Sequence, residues 1–177
     1  MQINITMKRI SDTEIKNWHK AMLQMMKNKF IKHGNITPVF LYLELKGDKI
    51  EPGALDISNA IAFGDDGKAS LSEYIKEFCI KREVVAVMII TEAWLVRRKK
   101  EELGEFLKGT KRATTEPDRK EVVFASFETA FVNKFNEFEI IRENGKAHLI
   151  EKKEKSPLMP HEGGRFMNLL SKRVIEN

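Results

Sequence analysis

Val84-Val-Ala-Val-Met-Ile-Ile90 is seven apolar residues in succession, rich in β-branched side chains, and its reading decides the fold. A strand apolar on both faces must be covered on both faces, so this segment predicts a strand inside a sheet with packing above and below. It is far too short to cross a bilayer, which takes roughly 20 residues.

Working outward, Ser70-Leu-Ser-Glu73 forms a capping box, with a serine and a glutamate three residues later that satisfy free amides at a helix start. Leu71, Tyr74, Ile75, Phe78 and Cys79 then recur at helical spacing, predicting a helix over 70–82 that runs into the buried strand. Just before it, Gly64-Asp-Asp-Gly67 reads as a turn. It lacks the further ligands of a calcium loop and the Gly-Lys-Ser/Thr of a phosphate loop. A second capping box, Ser11-Asp-Thr-Glu14, opens a helix over 12–33 whose stripe of Ile15, Trp18, Met22, Met25, Met26 and Phe30 ends at His33-Gly34. This Met-rich stripe reads as core packing in preference to a partner groove.

Between the helices, Pro38–Leu45 is apolar on nearly both sides and predicts a second interior strand. Turns follow at Lys46-Gly-Asp48 and Glu51-Pro-Gly53, with short strands around Lys49–Ile50 and Ala54–Ile57. Glu121–Phe127 is a further strand. Asn144-Gly145 supplies the two positive-φ residues of a type I′ hairpin. In that register Glu143 faces Lys146 and Ile140 faces Leu149, with Phe138, Ile140, Ala147 and Leu149 on one face and a polar, solvated face opposite. The resulting expectation is an α+β fold. A largely antiparallel sheet of about five strands (38–45, 84–91, 121–127, 136–143, 146–152) packs on two main helices. One domain spans 1–155; residues 156–177 form a linker, Ser156-Pro-Leu-Met-Pro-His-Glu-Gly-Gly164, and a short helix carrying Phe166, Leu169, Leu170 and Val174.

Composition narrows the function. With 42% hydrophobic and 32% charged residues, the chain has material for a core and a heavily solvated surface. Met1–Ile10 shows no basic region, apolar block and cleavage site, so no secretory signal is expected. One cysteine, Cys79, permits no internal disulfide and fits a reducing, cytoplasmic setting; its place on an apolar stripe makes it a small buried hydrophobe. His19, His33, His148 and His161 are scattered, and no nucleophile elbow, Walker loop or dinucleotide fingerprint is present. No cofactor or resident metal is expected. The net charge is +5, with a local excess between Arg97 and Arg112: seven basic residues, including Arg97, Arg98, Lys99 and Lys100, against three glutamates. A mixed run of this kind is a solvated connection or a patch for phosphate backbones or an acidic partner. A short helix around Glu101–Leu107 is expected within it. The partner classes left open are a protein, a second copy of the chain, or nucleic acid through this basic connection, and no membrane.

Chemistry-bearing residues remain at the end of one strand, Glu92-Ala-Trp94, and at the start of another, Pro117-Asp-Arg-Lys-Glu121. If the two strands are antiparallel neighbours, Glu92, Trp94, Asp118, Arg119 and Glu121 cluster at one sheet edge, able to bind a cation, a phosphate or a planar ligand. The plain structural account is an Arg119–Glu92 ion pair covered by Trp94. Over residues 84–127 these motifs resemble a group of prokaryotic and phage-borne proteins in which Ser-Glu-Ala-Trp is followed by a Pro-Asp-Arg-x-Glu strand. Here Thr91 replaces the serine, and Ala113-Thr-Thr-Glu116 precedes the Pro-Asp-Arg step. The resemblance implies a shared fold unit and no activity. The expected function is a non-catalytic binding or regulatory module. The alternative is a metal-dependent nuclease in which Asp118 and Glu151 hold a divalent cation and Lys153 orients water.

Overall fold

The computed structural model describes residues 11–97, 104, 113–130, 132–152 and 169–170. Its elements run α1 (Asp12–His33), β1 (Val39–Lys46), β2 (Lys49–Asp56), α2 (Ser58–Ala62), α3 (Gly64–Lys81), β3 (Val84–Leu95), a 3-10 turn (Ala113–Thr115), β4 (Lys120–Thr129), β5 (Asn133–Glu143) and β6 (Lys146–Lys152). The fold is α+β. Six antiparallel strands in the order β2-β1-β3-β4-β5-β6 curl into a half-barrel, so the apolar segment that predicted an interior strand is the third of six.

Helix α1 starts where the capping box places it. Ser11 Oγ accepts the Glu14 amide at 3.2 Å, and the Ser11 amide donates back to the Glu14 carboxylate at 3.0 Å. It stops at a left-handed Gly34, whose N–H donates to the Phe30 carbonyl at 2.7 Å. The inward stripe of α1, with Met26 and Phe30 fully buried, packs on Leu41, Leu43, Ala86, Met88, Ile90, Val123, Ala125, Phe127, Phe138 and Ile140. Strand alternation sends the other face of β1 and β3 into a second core under α2 and α3, made of Phe40, Tyr42, Ile57, Leu71, Ile75, Cys79, Val84, Val87 and Ile89. Cys79 is 2% exposed there, as its apolar position predicted.

Four expectations change. The two short strands around 49–50 and 54–57 are one strand, β2, carrying Pro52 and Gly53 through its middle, so the sheet has six strands. Proline is tolerated because β2 is an edge strand and needs no second ladder partner. Gly64-Asp-Asp-Gly67 is no loop but the first turn of α3, which begins six residues before the Ser70 box. Asp65 and Asp66 sit where the helix N-terminus favours negative charge, and a Cβ at 67 would fall 2.2 Å from the Ala60 carbonyl oxygen, so the tight α2–α3 corner requires glycine. The strand expected over 84–91 is longer: β3 continues through Thr91 as far as Leu95. The hairpin register holds as expected, Glu143 opposite Lys146 and Ile140 opposite Leu149, but its second face is not open to solvent throughout. Glu137 is 7% exposed and takes Arg97, and Glu139 is braced by Lys120 and Lys152. The short helix expected around Glu101–Leu107 and nearly all of 156–177 lie outside the described residues.

In the N-terminal half of α1, His19 is 9% exposed, its ring lies tilted against Phe127 at 4.7 Å between centres, and its Nε2 lies 3.1 Å from Asn136 Oδ1. Burial pushes the imidazole pKa below its ordinary value and the Lys134 charge adds to this, while the Asn136 bond and the Glu151 charge oppose it. The neutral ring therefore belongs to the folded state. Its contribution is intact above pH ~6.5 and is lost as pH falls through that value toward the lowered folded pKa, because the unfolded chain binds the proton first. Urea unfolding between about pH 7.5 and 5.5 is expected to show stability declining with acid in the wild type, and a flatter profile in His19→Gln. Identical slopes would remove His19 as the cause.

Candidate functional site

β3 and β4 are antiparallel neighbours in a continuous ladder, with Glu92 opposite Val123, Trp94 opposite Glu121 and Leu95 opposite Lys120. The end of one strand thus lies beside the start of the next. Both strands are central in the sheet, so the residues gather at a strand end in mid-sheet and not at a sheet edge.

Glu92, Trp94 and Glu121 point to the α1 side of the sheet, the face that also carries Met88 and Ile90. Glu92 Oε1 accepts the Ile36 amide at 2.5 Å, tying the α1–β1 connection to the sheet. Desolvation raises the Glu92 carboxyl above the usual range; the Ile36 amide lowers it, the nearby Glu121 charge raises it and Arg142 lowers it. Glu121 takes a two-pronged bond from Arg142, Nε at 2.8 Å and Nη2 at 2.7 Å, and its carboxyl is held low chiefly by that bond. The remaining Arg142 nitrogen, Nη1, donates to the Gly34 carbonyl at 2.9 Å, capping the end of α1.

Trp94 is 42% exposed, and the Arg119 guanidinium carbon stands 4.8 Å from the centre of its ring. Arg119 is steadied by donating its main-chain N–H and Nη1 to the Glu116 carbonyl, at 3.3 and 3.2 Å. The expected Arg119–Glu92 pair is therefore corrected. Arg119 covers the indole, Glu92 holds a backbone amide, and the ion pair of this corner is Glu121–Arg142. The reason is one of position: Arg119 precedes β4 and lies beyond the last rung, where it reaches Trp94, while Glu92 sits two ladder positions deeper than Trp94 and bonds the Ile36 amide.

No family model, curated protein or solved structure matches this chain.

The other candidates are dispersed. Asp118 is exposed in the turn before β4. Arg97 is drawn to Glu137 on the opposite face of the sheet, while Arg98, Lys99 and Lys100 lie outside the described residues. Glu151 pairs with Phe138, which pairs with Val123. Two strand spacings and three residue rises then put it roughly 14 Å from Lys120, beyond which Asp118 lies. Glu151 instead binds Lys27 at 2.9 Å, Lys153 lies outside the described residues, and no group of three or more His, Cys, Asp or Glu converges among the described residues. Asp118 and Glu151 are thus not brought together to share a cation. Sequence reasoning missed Arg142, Gly34 and Ile36. Arg142 was findable, since it continues the Phe138–Ile140 alternation onto the same face, whereas the Gly34 carbonyl and the Ile36 amide carry no sequence signal.

Proposed function

We propose that this chain is a non-catalytic binding or regulatory module of a prokaryote or mobile element, working in the cytoplasm, with the Trp94 end of β3 and β4 as its contact surface for a protein partner. The observation that carries this reading is the indole of Trp94, 42% exposed at the end of two central strands, with the Arg119 guanidinium laid over it. Tryptophan supplies large contact area at little entropic cost and arginine supplies directed hydrogen bonds, and the two are enriched among the residues that dominate interface energetics. A rigid mount strengthens the argument: the Glu92–Ile36 and Glu121–Arg142–Gly34 bonds hold the strand ends and the tip of α1 together. The prokaryotic setting is supported by the resemblance over residues 84–127. No helix among the described residues is long and apolar enough to cross a membrane.

The test is quantitative capture of a partner on the immobilised chain. Trp94→Ala is expected to weaken it roughly tenfold or more, and charge reversal at Arg119, which lies over the indole, to weaken it further at low salt. Unchanged capture by both variants sinks the reading. Divalent-dependent cleavage of DNA that disappears in a folded Asp118→Ala chain would restore the nuclease alternative, and tight binding of a labelled oligonucleotide with no protein captured would replace the protein partner by nucleic acid.

A further inference from the structure

At the other end of β4 a second built site is present. Glu128 is 6% exposed and pairs across the ladder with Val87, a member of the second core. Its two carboxylate oxygens accept two consecutive main-chain amides from far along the chain: Leu169 N–H to Oε2 at 3.2 Å and Leu170 N–H to Oε1 at 2.8 Å. The Leu169 side chain is 2% exposed within the second core, with Phe40, Tyr42, Leu71 and Ile75. A carboxylate placed in such surroundings is costly unless hydrogen-bonded, and the two amides supply those bonds. Main-chain bonds for affinity and an apolar pocket for one side chain are the general chemistry by which proteins read peptides.

Chain length does not force this contact. Lys152 faces Glu137, which is level with Phe124, four residues before Glu128; two strand spacings and four residue rises make about 16 Å. A stretch of sixteen residues, 153–168, could reach roughly 50 Å if extended, well beyond that separation, so the bonds to Glu128 and the burial of Leu169 are what define the seat.

The geometry points to the slot beside Glu128 as a peptide-docking site for a leucine with two successive free main-chain N–H groups, the chain's own Leu169–Leu170 being its resident and exchangeable occupant. It is independent of the Trp94 surface, which lies at the opposite end of β4.

Cys79, the chain's sole cysteine and buried in the same core, reports on opening of this seat through its reaction with a thiol reagent. In the full chain carrying Leu169→Asp and Leu170→Asp, thiol labelling is expected to accelerate roughly tenfold or more, at a rate insensitive to low urea, as local opening requires. A synthetic peptide of sequence 165–174 added in excess is expected to slow it again saturably, and Glu128→Gln in the same chain to weaken that protection. Labelling at the wild-type rate, acceleration that follows global unfolding, or absence of any peptide effect in a folded variant overturns the proposal. Should the double variant fail to fold, amide exchange in the wild type decides. Exchange of Leu169 and Leu170 through an opening cheaper than global unfolding supports the site, and exchange only with global unfolding shows a fixed piece of core.

Discussion

Phe127→Ala is expected to destabilise the fold by about 3–5 kcal/mol. Phe127 is 1% exposed on β4, directly opposite Met88, and its ring meets Trp18 at 5.9 Å and His19 at 4.7 Å. Removal of the ring takes away the burial of a large aromatic side chain and leaves a cavity that a curled sheet on one side and a 22-residue helix on the other cannot easily collapse into. For a domain of ordinary stability, about 5–15 kcal/mol, this is a large fraction of the whole. Denaturant unfolding is expected to show a lower midpoint with little change in slope. Phe63→Ala, at a site 80% exposed, is the matched control and is expected to stay within about 0.5 kcal/mol. A loss at Phe127 no larger than that of the control would mean that the α1 face of the sheet does not carry the stability assigned to it.

Gly53→Ala is expected to destabilise by about 1–3 kcal/mol, although removing a glycine usually gains a few tenths to about 1 kcal/mol by restricting the unfolded chain. Gly53 pairs with Tyr42 across β1 and β2, and the Tyr42 ring lies over it: a Cβ there would fall 2.1 Å from Tyr42 Cζ and 2.4 Å from its oxygen. The ring has little freedom to yield. It is 8% exposed, stacked on Phe40 at 5.7 Å, edge-on to Phe78 at 4.9 Å, and faced by the Arg82 guanidinium at 6.0 Å. In a Tyr42→Ala background the obstacle is gone, and the same Gly53→Ala change is expected to be neutral or mildly stabilising. The difference between the two backgrounds measures the contact. Additive effects would show that the ring does not bear on position 53.

Both predictions rest on features that differ in how far the sequence announced them. The strand that carries Phe127 was legible because Glu121–Phe127 is rich in β-branched and aromatic residues. The crossing of Tyr42 over Gly53 was not, because Glu51-Pro-Gly53 carries local turn chemistry, and only pairing with β1 makes it a strand. The same competition displaced the start of α3: the Ser70 box and the Gly64–Gly67 run were read locally, whereas the packing of Gly67 under Ala60 fixed the helix six residues earlier.

The candidate site divides the same way. The sequence by itself determined that Glu92 and Trp94 follow directly on an apolar strand, that Glu121 opens the next, and that Asn144-Gly145 turns a hairpin in one register, since each follows from periodicity or turn chemistry within a few residues. Only the tertiary structure decided which charge meets which partner. Arg142 reaches Glu121 across 21 residues and Gly34 across 108, Glu92 reaches the Ile36 amide across 56, and Glu128 takes the Leu169 and Leu170 amides from 41 and 42 residues away. Local spacing fixes the direction a side chain leaves its strand, and the partner it finds there is set by the sheet order and the crossing of α1, which no short window of sequence contains.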